Sequence, residues 1–80
     1  MNHAYEANIG KTIRRYREAK KLTQEQLSAK MQLCGCDITR SAVAKIEVGQ
    51  RHIYLDELYL FHSILSIPFE VLFEQGPEQE

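Results

Sequence analysis

The sequence predicts an all-α chain, a compact bundle of five helices. Three observations carry that expectation. Apolar residues recur three and four apart along most of the chain, the spacing of one buried helix face. Helix-start residues stand ahead of these stripes, with Asn8, Thr23, Thr39 and Pro68 each placed to begin a helix. Eighty residues, 44% hydrophobic and 26% charged, suit one small globular domain rather than a disordered chain.

Residues 1–8 read as a flexible leader. Asn8 can cap a first helix of about residues 9–20, with Ile9, Ile13 and Tyr16 on its buried face. Arg14, Arg15, Lys20 and Lys21 belong in solvent. Arg17 falls at the edge of the buried stripe, where a cation needs a partner. Thr23 and Gln26 form a capping-box pattern, and Leu22 can pack back on the first turn as a staple. The second helix then runs from Gln24 to Met31 or Leu33, with Leu27 and Met31 inward. Ser28 and Ala29 are small enough for a close helix crossing. Gly35 breaks the pattern and supplies a turn, and Ile38 anchors the end of that loop.

The third helix, about residues 39–48, starts at Thr39 and closes at Gly49. Val43 and Ile46 face inward, so Arg40, Ser41, Ala44 and Lys45 face outward. A fourth helix spans about residues 55–65, with Asp56 and Glu57 offsetting the dipole in its first turn. It carries two apolar stripes, Leu58, Phe61 and Leu65 on one side, Leu60 and Ile64 with Ile67 on the other. His62 fits a packed core histidine better than a ligand. Pro68 begins a short fifth helix with Phe69, Leu72 and Phe73 as its apolar face. Residues 75–80 read as a disordered polar tail, so the domain spans residues 9–74.

Helix, turn and helix over about residues 24–48 make a helix-turn-helix unit with a long turn. The outer face of its second helix presents two cations, a hydroxyl and small residues, a set suited to the major groove of DNA. An ordinary amphipathic helix with a solvated face fits the same stretch. The distribution of charge decides between them. The net charge is only −1, yet residues 1–53 hold all ten Lys and Arg against five acids, a surplus of five. Residues 54–80 hold six acids and no Lys or Arg. A basic half carrying the candidate helix is the footprint of phosphate contact. Gln24 stands at a helix N-terminus, placed to meet a phosphate. Arg51 and His52, in the loop after the third helix, are further phosphate candidates.

Other chemistries find little support. Apolar runs fall far short of the roughly 20 residues of a membrane span, and the first residues do not resemble a secretory signal, so the expected location is cytoplasmic. Cys34 and Cys36 are too close for easy pairing and are expected as reduced thiols. A zinc site needs about four ligands, and only His3, His52 and His62 could join them, so no metal or other cofactor is expected. Nothing pairs a nucleophile with a base, and there is no phosphate-cradling glycine loop, so the chain is not expected to be an enzyme. Oxidation of the two thiols beside the third helix is a separate regulatory possibility.

With these elements in place, the chain resembles the Cro/Xre-type helix-turn-helix family of phage repressors and bacterial regulators over about residues 9–73. The resemblance rests on Ile13-Arg14-Arg15-Tyr16-Arg17, on Leu22-Thr23-Gln24-Glu25-Gln26-Leu27, and on the run from Thr39 to Glu47 with Gly49. Leu58, Leu65, Ile67 and Leu72 complete the pattern. It implies a lambda repressor-like fold. It also implies base contacts from Arg40, Ser41, Ala44 and Lys45, phosphate contacts from Gln24 and Thr39, and an ion pair between Arg17 and Glu47. Two features depart from the family: the turn before Thr39 is longer by about four residues, and His62 stands where a small buried residue is usual.

The expected function is sequence-specific binding of double-stranded DNA by a transcriptional regulator, a repressor in the first instance. It would work as a homodimer joined through helices 4 and 5. The alternative is a protein-interaction adaptor, or an antitoxin-like partner module, using the apolar surface of those helices with Arg40 and Lys45 as solvated charges.

Overall fold

A computed structural model describes residues 3–73. Five helices follow one another: α1 (His3–Ala19), α2 (Gln24–Leu33), α3 (Arg40–Glu47), α4 (Leu55–Leu65) and α5 (Phe69–Phe73). Among the described residues there is no strand. The core draws on every helix and on two loop residues. Ile9 and Ile13 of α1, Leu27 and Met31 of α2, Val43 and Ile46 of α3, Phe61 and Leu65 of α4, and Leu72 of α5 are buried with Ile38 and Ile67. The α3 helix packs against both α1 and α2.

The first helix corrects the expectation of a flexible leader. Residues from His3 onward are helical, and Asn8 lies exposed within α1 rather than capping it. Local sequence favoured a start at Asn8, but tertiary contact overrides it. Tyr5 packs against the core, and Ala7 lies under the loop after α3. The tail assigned to residues 75–80 lies outside the described residues.

The ends of the helices share one device. Leu22 donates its amide to Arg17, Cys36 to Met31, Gln50 to Lys45 and Ile67 to His62, each a bond back over five residues. The residue inside each loop has a left-handed backbone: Lys21 at φ 60, Gly35 at φ 86, Gly49 at φ 80 and Ser66 at φ 57. These bonds satisfy carbonyls that the last helical turn leaves open. Glycine takes this conformation without steric cost, whereas Lys21 and Ser66 do not.

The N-termini of α2 and α3 follow the sequence more closely. The Thr23 hydroxyl accepts from the Gln26 amide at 3.0 Å, and the Gln26 side chain accepts from the Thr23 amide at 2.8 Å. Thr39 accepts from the Ala42 amide at 3.1 Å and so starts α3. Gln32 holds the long turn, its side-chain nitrogen donating to the Ile38 carbonyl at 2.8 Å. Two packing expectations fail. Ser28 is buried at the crossing of α2, but Ala29 is exposed. In α5 only Leu72 of the three expected apolar residues is buried, while Phe69 and Phe73 stand about half exposed. Five residues make too few turns for periodicity to say which side faces in.

Candidate nucleic-acid interface

The outward side of α3 is built on a buried polar anchor. Arg17, near the end of α1, donates through Nε to Glu47 Oε2 at 2.7 Å and through Nη2 to Oε1 at 3.1 Å. Its Nη1 donates to the Leu22 carbonyl at 2.7 Å. The Glu47 side chain is 1% exposed and that of Arg17 is 10% exposed. The hydrogen bond that Arg17 donates to Glu47 raises its pKa above the ordinary value, outweighing the burial that opposes its charge. Gln24, the first residue of α2, adds a third donor, Nε2 to Glu47 Oε1 at 3.0 Å. The last residue of α3 is thereby fastened to α1 and to the N-terminus of α2.

This network qualifies the expectation that Gln24 meets a phosphate. One of its two N–H bonds is engaged by Glu47, so any phosphate must be met by the other. The residue is half-buried and lines a shallow groove with Arg14, Arg17, Thr23, Glu25 and Arg40. Arg40, Ser41 and Lys45 are exposed and Ala44 is half-buried, on the side of α3 away from buried Val43 and Ile46. The capping residue Thr39 is exposed as well. Six of the eight residues expected near DNA therefore share the α2–α3 unit: four on the outer side of α3, Thr39 at its start, and Gln24 at the start of α2.

The loop after α3 departs from expectation. Arg51 is gripped by Glu57, with Nη1 to Oε1 at 2.9 Å and Nη2 to Oε2 at 3.0 Å, and Nη1 also donates to the His52 carbonyl. The same Glu57 carboxylate accepts the Tyr54 amide at 3.1 Å, closing the start of α4. Burial pushes the Glu57 carboxyl up, but the bonds from Arg51 and Tyr54 outweigh it and hold the carboxyl below the usual range. The Glu57 bond likewise raises Arg51 above its ordinary value, against the burial that lowers it. Arg51 thus serves the loop, leaving a phosphate only what this bidentate pair does not occupy. The sequence signal for it was an acid at the third position of α4, ready to accept from the residue before the helix. His52 is exposed, with Nδ1 lying 3.2 Å from Glu6 Oε1.

Other candidates separate. Cys34 is exposed, whereas Cys36 packs against the core, where burial pushes its thiol up and keeps it less reactive. Among the described residues, no three of His, Cys, Asp and Glu are grouped to hold a metal ion. Among them, too, no helix is long and apolar enough to cross a membrane. His62 is half-buried rather than a core residue. Its ring donates from Nδ1 to the Ile67 carbonyl at 2.6 Å and stacks on Phe69, with centroids 3.6 Å apart. Tyr59 and Phe73 extend this row at 5.8 and 6.1 Å, and with exposed Leu55 they leave an apolar surface on α4 and α5.

Comparison with known proteins adds one match. The family described as helix-turn-helix matches residues 13–72. No curated protein and no solved structure matches the chain.

Proposed function

Because the chain belongs to the Cro/C1-type helix-turn-helix family, a family of DNA-binding transcription regulators, we propose that it reads a specific sequence of double-stranded DNA and represses transcription by occupying it. The observation that carries this reading is the pairing of exposed Arg40 and Lys45 with a rigid base beneath them. Both cations project from the helix whose last residue, Glu47, is fastened by Arg17 and Gln24. Rigidity matters because base contacts discriminate only when the side chains arrive in fixed register. Arg40 or Lys45 reads guanine through N7 and O6, a good bidentate contact contributing about 1–3 kcal/mol of discrimination. Ser41 and Ala44 fit against neighbouring base edges, and Thr39, Gln24 and His52 set register on phosphates.

The aromatic row on α4 and α5 supports a homodimer, since several large apolar side chains stand together in solvent. Two copies then present their α3 helices to successive major grooves about 34 Å apart. The work is done in the cytoplasm. The same apolar surface supports the alternative, an adaptor or antitoxin-like module that uses it to hold another protein. Selection of duplexes from a random pool tests the choice. Recovery of a two-fold symmetric consensus supports the dimeric regulator, and recovery of no enriched sequence supports the adaptor.

A further inference from the structure

The shallow groove beside Gln24 is lined by three arginines, Arg14 and Arg17 of α1 and Arg40 of α3, with Thr23, Gln24 and Glu25 between them. Its lining holds no apolar side chain, so it does not suit a hydrophobic ligand. Arg17 is already engaged: all three of its nitrogens donate, to Glu47 and to the Leu22 carbonyl. Arg40 is exposed at the start of α3. Arg14 belongs in solvent by its sequence position, yet the packing of α1 against α3 brings it to the same groove as Arg40.

We propose that Arg14 seats a backbone phosphate of the DNA in this groove, beside the start of α3, so that the DNA-facing surface extends from the α2–α3 unit onto α1. This rests on the DNA-binding reading. Arg14 donates from Nε to Glu18 Oε2 at 3.1 Å, which leaves both terminal nitrogens of the guanidinium. That end of the fork matches two oxygens of one phosphate. The side chains of the pair are 56% and 55% exposed, so water screens Glu18 and a phosphate competes for Arg14 at little cost. The other charges nearby leave room for an anion. Arg17 and Glu47 cancel, and Arg14 and Arg40 then stand against Glu25 on the lining, with Glu18 outside it. The N–H of Gln24 that Glu47 does not take is a further donor in the same groove. A phosphate contact carries no base information, so Arg14 adds affinity and register rather than sequence preference.

Fluorescence anisotropy with a duplex selected from a random pool, measured at several salt concentrations, reads the contact. Arg14→Gln is expected to make the slope of log affinity against log salt shallower by about one. Binding at about 100 mM salt should weaken about eightfold, the counterion share of one phosphate. Selected and scrambled duplexes should lose the same factor. Because Arg14 is exposed, the thermal midpoint of the variant stays near that of wild type. Arg15→Gln is the control. It removes the same charge one residue on, from a side chain that lies over the Tyr16 ring and does not line the groove, and it should change the slope far less. Single methylphosphonate replacements along both strands then locate the contact. One replaced phosphate is expected to cost wild type and Arg15→Gln affinity but not Arg14→Gln. Equal slopes for the two variants, or an Arg14→Gln profile that matches wild type at every phosphate, overturns the proposal and leaves the DNA reading standing. Wild-type protein that binds no duplex overturns the DNA reading and this proposal with it.

Discussion

Arg17 and Glu47 lie thirty residues apart in the chain and meet in the interior through two hydrogen bonds of 2.7 and 3.1 Å. The pair joins the end of α1 to the end of α3 and leaves neither charge uncompensated. Removing one partner strands the other in a buried site, which costs about 3–5 kcal/mol. Arg17→Ala and Glu47→Ala are each expected to lower the urea midpoint sharply, since small domains have little stability to lose. Urea unfolding of both single variants and the double variant measures the coupling. Additive losses would show that the two residues act independently.

The Arg51–Glu57 pair predicts a pH dependence. The Glu57 carboxyl is held below its ordinary range in the folded chain, so the unfolded chain binds the proton more readily. Its contribution is therefore fully present at neutral pH and is lost as pH falls through the folded value. Glu57→Gln should lower stability at neutral pH and flatten the acid limb of the stability profile. Chemical denaturation between neutral pH and the carboxylate range checks both effects. An unchanged acid limb would contradict this assignment.

Gly10 is where α1 and α3 touch backbone to backbone. Gly10→Ala must displace the Ile46 carbonyl, which no rotamer change relieves, and a loss of about 3 kcal/mol is expected. Thermal unfolding followed by circular dichroism measures it. A gain in stability, as helix propensity alone would give, would show that the two helices sit farther apart than described.

Ser66 closes α4 from a left-handed backbone at φ 57 that suits glycine better. Ser66→Gly is expected to stabilise the fold by about 1 kcal/mol, read as a raised midpoint in the same unfolding experiment. A lowered midpoint would mean that the conformation carries no steric cost there.

Much of this was legible in the sequence. The capping box of Thr23 and Gln26 and the cap at Thr39 follow from local hydrogen-bonding rules that act over three or four residues, and the span of α4 follows from its apolar stripes. The need of Arg17 for a partner was also legible, because its position on α1 put a cation at the edge of a buried stripe. What escaped depends on distant contacts. Asn8 carries a valid capping signal, yet Tyr5, Glu6 and Ala7 find partners on the core and the following loop and extend α1 past it. Arg51 reads as a phosphate candidate because its partner, Glu57, equally suits a role at the helix dipole. The exposure of Phe69 and Phe73 is not legible, because five residues cannot define a face. The closures at Lys21 and Ser66 carried no glycine to announce them.

The row of Tyr59, His62, Phe69 and Phe73 is expected to be a contact between two copies. Phe69→Asp places a charge in that surface and should shift sedimentation toward the monomer, with DNA affinity falling as the second half-site contact is lost. Wild-type protein that sediments as a monomer across the micromolar range would contradict the dimer.

The most direct test of the central claim is a titration of the selected duplex at salt concentrations from about 50 to about 200 mM, with wild type and the Arg40→Ala, Lys45→Ala double variant. The account predicts an affinity that falls by about a thousandfold over that range, and a double variant that keeps its fold but loses preference for the selected duplex over a scrambled one. Equal binding of selected and scrambled duplexes by wild type, or unchanged preference in the double variant, would contradict it.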